Sequence, residues 1–187
     1  MKLASIVPIS DIEKTYDGQF AMLLAHLKDY YPKCYNNRCY RIMDNSLIEL
    51  KGAVNIEEVV KAARQCNVDE IILPDVFRNG PDTVKTVEKS IKWLKDHSVR
   101  DFKIMAVCQG STISEFEKCF YELEKIPEIH CIGIPKVSTT LNVRGRPYFE
   151  YLWMNSPKTI HLLGCWETLA ELLEYRYPQR IRSVDTC

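Results

Sequence analysis

The sequence predicts an α/β domain built on a parallel sheet, and three observations carry that expectation. Short apolar runs of strand length alternate with longer amphipathic stretches. Several of those runs are continuously apolar, as in parallel strands buried on both faces. No linker, low-complexity segment or charge block interrupts the alternation, so 1–187 reads as one domain.

The candidate strands, in order, are residues 3–8, 40–44, 70–75, 103–109, 131–135, 159–164 and 181–185. Between them lie four apolar stripes at three-to-four spacing, each the buried face of a helix. Ile56, Val59, Val60 and Ala63 form the first, and Val84, Val87, Ile91 and Leu94 the second. Ile113, Phe116, Phe120 and Leu123 form the third, and Trp166, Leu169, Leu172 and Leu173 the fourth. Asn55 with Glu58 three residues on marks a helix start. Pro127 and Pro178 mark the stops of the last two helices. Repeated β-then-α units imply right-handed crossovers. Seven parallel strands suit a TIM-barrel-like (β/α) fold, left incomplete, better than a three-layer sandwich, which periodicity alone leaves open.

Composition narrows the function. The chain is 46% hydrophobic and 27% charged, ordinary for a globular protein, and Lys+Arg equals Asp+Glu at 25 each. Such a balance argues against gripping nucleic acid through overall charge, while leaving room for a local basic patch. No stretch approaches the roughly 18 apolar residues of a membrane span. The first residues are apolar over too short a run for a signal peptide, so the protein reads as cytoplasmic. Of its eight cysteines, Cys66, Cys108, Cys119, Cys131 and Cys165 fall within apolar periodic segments. Cys34 and Cys39 have no second pair at zinc-site spacing, so neither a metal nor any other cofactor is expected.

In this architecture function gathers at the carboxyl ends of strands. Three candidate strands run into an aspartate there: Asp44, Asp75 and Asp185. A fourth ends in Gln109-Gly110, and the 131–135 strand carries Gly133 and leads into Lys136. An Asp at a strand end is often only a helix cap. Three of them on one face, with an amide and glycines, support a more specific chemistry. One carboxylate can attack an anomeric carbon while a second handles the leaving group's proton. Crowding should push their pKa values apart. Phe77, just past Asp75, is placed either to stack on a bound ring or to pack in the core. Arg144 and Arg146, with Lys136, lie in a polar stretch on the same mouth, as solvated residues or as contacts to a nucleic-acid backbone. Tyr30, Tyr31, Tyr35 and Tyr40, around Lys33 and Arg38, read as an ordinary amphipathic surface or a base-stacking one. His161 reads as structural.

These residues resemble, as ordered short motifs, the queuine and archaeosine tRNA-guanine transglycosylases and their DNA-modifying 7-deazaguanine relatives. Met43-Asp44-Asn45-Ser46 is similar to the family's Asp-Ser-Gly or Asp-Asn-Gly segment, and Pro74-Asp75-Val76 to its base-recognising segment. Gln109-Gly110 matches the pair that contacts the purine carbonyl edge, and Ile132-Gly133-Ile134 the glycine strand whose backbone touches the base. His161-Leu162-Leu163-Gly164 matches the Leu-Met-Gly strand, and Ser183-Val184-Asp185 falls where the nucleophile stands. The resemblance implies base exchange in tRNA or DNA through a covalent Asp185–sugar intermediate. Asp44 would serve acid–base chemistry or substrate positioning, and a free 7-deazaguanine would be the incoming base.

The departures are specific. The family's C-terminal zinc module and the basic segment after the nucleophile have no counterpart, and Ser46 stands where glycine is common. These departures leave room for a smaller or DNA-directed relative, a shortened chain, or a partner that completes the barrel in a homo- or hetero-oligomer. The alternatives are a non-catalytic base-binding or accessory subunit, and an N-glycosidase or Schiff-base lyase (through Lys136) acting on a free metabolite. The catalytic reading also requires residues 181–184 to form an inner strand that holds Asp185 rigidly.

Overall fold

In a computed structural model, residues 2–6, 20–31, 39–165 and 169–186 are described. Eight parallel strands close a barrel in sequence order. They are β1 (Lys2–Ile6), β2 (Phe20–Leu24), β3 (Tyr40–Asp44), β4 (Glu70–Ile72), β5 (Lys103–Val107), β6 (Cys131–Pro135), β7 (Thr159–Leu163) and β8 (Ile181–Thr186). The fold is TIM-barrel-like, but closed rather than incomplete. The strand that the sequence pattern did not reveal is β2, which pairs with both β1 and β3. All five of its residues are buried, so it shows no alternation. Its Phe-Ala-Met-Leu-Leu composition also favours a helix as much as a strand.

Alternate residues of each strand face inward and outward. Phe20, Met22, Ile42, Ile72, Met105, Val107 and Cys131 fill the barrel interior, whereas Met43, Ile71, Ala106, Ile132, Ile134 and Leu162 join the shell packed against the helices. The helices are α1 (Leu47–Leu50), α2 (Ile56–Gln65), α3 (Gly80–Asp96), α4 (Ile113–Glu124) and α5 (Glu150–Trp153). Side-chain caps start the three long ones. Asn55, Asn79 and Thr112 accept from the backbone N–H of Glu58, Asp82 and Glu115 at 2.9, 3.0 and 3.2 Å. The first three expected stripes are the faces these helices turn to the barrel.

The fourth stripe differs. Residues Leu169–Glu174 form a 3-10 helix, and Leu173 is 88% exposed. At three residues per turn, Leu172 and Leu173 point about 120° apart, so one face cannot bury both. Trp166 lies outside the described residues, as do Cys34, Tyr35, Lys33 and Arg38. The expected polar loop after β6 is instead two 3-10 turns, Lys136–Leu141 and Arg146–Phe149, running into α5.

β8 is a true inner strand, paired with β1 on one side and β7 on the other. A bulge lies in the β7–β8 pairing, where Ile160 pairs with Ile181 but His161 pairs with Ser183. The extra residue, Arg182, is thereby free to reach across to Glu70 on β4, at 2.7 Å.

Candidate active site

A cavity of about 420 Å³ opens at the carboxyl ends of the strands, with Asp44, Asp75, Asp185, Gln109, Phe77 and Lys136 among its lining residues. Met22, Leu24, Val107 and Leu163 supply apolar wall. Its size and its few convergent polar groups are those of a small-molecule site.

Asp75 is 5% exposed and held by two amides. Asn45 Nδ2 donates to one carboxylate oxygen at 2.7 Å, and Gln109 Nε2 donates to the other at 2.6 Å. Burial raises the Asp75 carboxyl to about 6, against the lowering effect of those two bonds. Gln109 also accepts from Arg78 N at 3.1 Å, which leaves one lone pair on its carbonyl and one Nε2 hydrogen for a ligand. Asn45, which sequence reasoning passed over, anchors the floor further by donating to Leu73 O at 2.7 Å and accepting from Leu47 N at 3.0 Å. Its adjacency to Asp44 in the Met-Asp-Asn-Ser segment was the available signal.

Asp44 sits beside it. Its Oδ2 accepts from Ser46 N at 2.7 Å, a turn that places Ser46 at φ 60°. That left-handed conformation is where a glycine would carry no steric cost. Ser46 Oγ lies 2.8 Å from His26 Nδ1, which ties the turn to the segment after β2. Burial pushes the Asp44 carboxyl up to about 8; the Ser46 N–H opposes this, and the nearby carboxylates Glu49, Asp75 and Asp185 add to it. Near neutral pH Asp44 therefore carries a proton.

This protonation has a consequence for stability. The folded protein keeps a proton at about 8 that the unfolded chain releases near the ordinary 3.8. Stability is therefore lost as pH rises from about 4 to about 8, and is flat beyond. We expect Asp44→Asn, which removes the titration, to gain on wild type as pH rises, by up to about 6 kcal/mol above pH 8, or roughly 10–20 °C in melting temperature. Thermal melts from pH 5 to 9 check this; parallel curves for the two proteins contradict it.

Asp185 is 4% exposed. Its Oδ1 accepts from Gly164 N at 2.9 Å and lies 3.2 Å from His161 Nε2, while its backbone carbonyl accepts from Cys165 N at 2.9 Å. Gly164 has φ 71°, a conformation that suits glycine and turns its N–H onto the carboxylate.

Not every expected site residue reaches the cavity. Gly110 packs under α4, where an added Cβ would lie 2.6 Å from Phe116 N, and it does not line the mouth. Gly133 faces the barrel interior toward Leu163, below the mouth, and its carbonyl is taken by Cys108 N at 2.9 Å. Pro135, two residues on, lines the cavity in its place. Phe77 is 47% exposed at the lip, which removes the core-packing alternative. Arg144 is exposed but away from the cavity. Arg78, which the sequence reading did not single out, bonds Thr140 of the cavity wall at 3.3 Å.

Arg146 requires a correction. It is fully buried and cannot meet a nucleic-acid backbone. Its Nε and Nη2 clamp Glu171 at 2.7 Å each, and its Nη1 donates to Ile134 O and Leu163 O at 3.1 and 2.6 Å. Burial opposes ionisation of Glu171, yet the paired bonds and charge of Arg146 outweigh it and hold the carboxyl below its usual range. The guanidinium thus staples the ends of β6 and β7 to the 3-10 helix at Leu169–Glu174. Lys136 Nζ lies 3.4 Å from the same Glu171.

Among the described residues, no group of three His, Cys, Asp or Glu side chains is placed to hold a metal ion, and no helix is long and apolar enough to cross a membrane. Cys39 is buried, and Cys34 lies outside the described residues. The chain matches no protein-family model and no curated protein.

Proposed function

We propose that this chain is a nucleic-acid guanine transglycosylase that exchanges guanine for a 7-deazaguanine through a covalent Asp185–sugar intermediate. One observation carries the reading: Asp44, Asp75 and Asp185 line one cavity, where Asp44, raised to about 8, can serve as the acid beside the Asp185 carboxyl that Gly164 N–H holds in place.

Asp185 attacks C1′, and the C1′–N9 bond breaks with its electron pair passing to guanine. Asp44, protonated near neutral pH, gives its proton to the departing base. The incoming 7-deazaguanine then attacks C1′, returns a proton to Asp44 and frees the Asp185 carboxylate. Two inversions leave the anomeric configuration unchanged. The target nucleotide is extruded or already single-stranded, since the mouth must reach its sugar. Phe77 at the lip offers a stacking face, and Lys136 and Arg78 offer positive charge beside it.

The lyase alternative is disfavoured by Lys136, whose Nζ is engaged by Glu171 rather than set in an apolar pocket. The test is incubation with tRNA and single-stranded DNA, each carrying labelled guanine. We expect release from one of them that increases when 7-deazaguanine is supplied. No release from either overturns the proposal.

Base binding adds a second test. Asp75 keeps free lone pairs on both oxygens while Asn45 and Gln109 fix its plane. Asp75→Ala is expected to weaken 7-deazaguanine binding by about 1–3 kcal/mol, or roughly 5- to 150-fold. Unchanged calorimetric affinity removes Asp75 from the base site.

A further inference from the structure

A chain of hydrogen bonds runs through the barrel interior to Asp185. It starts at Glu70 on β4, fully buried, whose Oε2 accepts from Tyr40 Oη and from Arg182 Nη1 at 2.7 Å each. Arg182 Nε then meets Ser183 Oγ at 3.1 Å. Ser183 Oγ lies 2.8 Å from His161 Nδ1, and His161 Nε2 lies 3.2 Å from Asp185 Oδ1. Both His161 and Ser183 are fully buried.

The chemistry of these groups gives the chain a direction. A guanidinium has donors and no acceptor, so Arg182 Nε must donate to Ser183 Oγ. The Ser183 hydroxyl proton then needs an acceptor, and His161 Nδ1 is the partner that remains among the described residues. A lone pair on Nδ1 leaves the ring proton on Nε2, where it faces the Asp185 carboxylate. The opposite tautomer points a lone pair at that carboxylate and strands the hydroxyl proton. An imidazolium satisfies Asp185 but also leaves the hydroxyl proton without an acceptor, an unfavourable state for a buried donor. The β8 bulge underlies this arrangement, because it lets Arg182 and Ser183 both contribute to the chain.

We propose that His161 is the positioning residue of the nucleophile, held as the neutral Nε2–H tautomer by Ser183 and Arg182. This rests on the reading of Asp185 as nucleophile and extends it to the level of atoms. Gly164 N and His161 Nε2 both hold Oδ1, which stops the carboxylate rotating. Oδ2 takes no hydrogen bond from the described residues and is the oxygen that attacks C1′. Such fixing is what a preorganised site, with its tolerance of roughly 0.5 Å, requires.

The test has two readouts. Protein labelled with ¹⁵N in its imidazoles is examined near neutral pH, with the His161 signals assigned by their disappearance in His161→Gln. The expected pattern is that of a neutral ring protonated at Nε2; an Nδ1–H ring or an imidazolium overturns the proposal whatever the activity. The second readout is the rate of adduct formation with the nucleic acid that supports exchange. His161→Leu removes the donor and is expected to slow it about 100-fold, the scale of a 1 Å misplacement. His161→Gln, whose amide N–H can reach Oδ1, should stay within about tenfold of wild type, whereas equal loss in both variants makes His161 merely structural. Should His161→Leu not fold, Ser183→Ala replaces it, and undisturbed ¹⁵N signals in that variant overturn the proposal. Absence of any wild-type adduct defeats the transglycosylase reading, while the tautomer is still decided by the spectra.

Discussion

Asp185→Asn is expected to fold as the wild type does, yet to form no covalent adduct and to lose base exchange by on the order of 10⁴-fold or more. The amide oxygen can take the place of Oδ1 and accept from Gly164 N and His161 Nε2, so the local structure survives. Its NH₂ then occupies the position of Oδ2, without the charge or lone pair needed to attack C1′. Asp44→Asn should behave differently. Without a proton to give, it should slow turnover about 10²–10⁴-fold, the usual worth of acid–base help, while still forming some adduct. A melting temperature within a few degrees of wild type must accompany the Asp185→Asn result. Exchange that persists in this variant removes Asp185 as nucleophile.

Arg146→Ala is expected to cost the fold about 3–5 kcal/mol, measured as a lowered urea midpoint with unchanged slope. The substitution leaves the Glu171 carboxylate part-buried without its bidentate partner. It also strips the Ile134 and Leu163 carbonyls of a shared donor. For a domain with a net stability of about 5–15 kcal/mol, that is a large fraction. Arg146→Met combined with Glu171→Leu should recover most of the loss, since an apolar pair of similar volume requires no ion pairing. A loss under about 1 kcal/mol would return Arg146 to the status of a surface residue.

These residues show which parts of the molecule the chain pattern discloses. The ends at Asp44 and Asp75 were legible because an apolar run stops at a charge, and a parallel barrel puts such ends on one face; Asp185 follows the mixed Ile-Arg-Ser-Val run, inside β8. β2 was not, because a fully buried Ala-, Met- and Leu-rich run has neither alternation nor β-branched residues to mark it. Arg146 misled for a different reason. In an Arg-Gly-Arg stretch with few apolar neighbours it reads as solvated, and its partner Glu171 lies 25 residues away, brought to it only by tertiary packing. Gly133 shows the limit of motif matching, because it faces inward two residues below the residue that reaches the mouth. The bonds of His161 to Ser183 and Asp185 depend on a bulge, a one-residue irregularity that no periodicity announces.

Base exchange as proposed passes through a covalent bond between Asp185 and a nucleotide sugar. The most direct measurement is intact mass and peptide mapping of wild-type protein denatured during incubation with tRNA or single-stranded DNA in the absence of free base. The expected result is a protein–nucleic-acid adduct that maps to the peptide carrying Asp185, is discharged by added 7-deazaguanine, and is missing from Asp185→Asn. An adduct on any other residue, or base exchange that proceeds with no adduct at all, would contradict it.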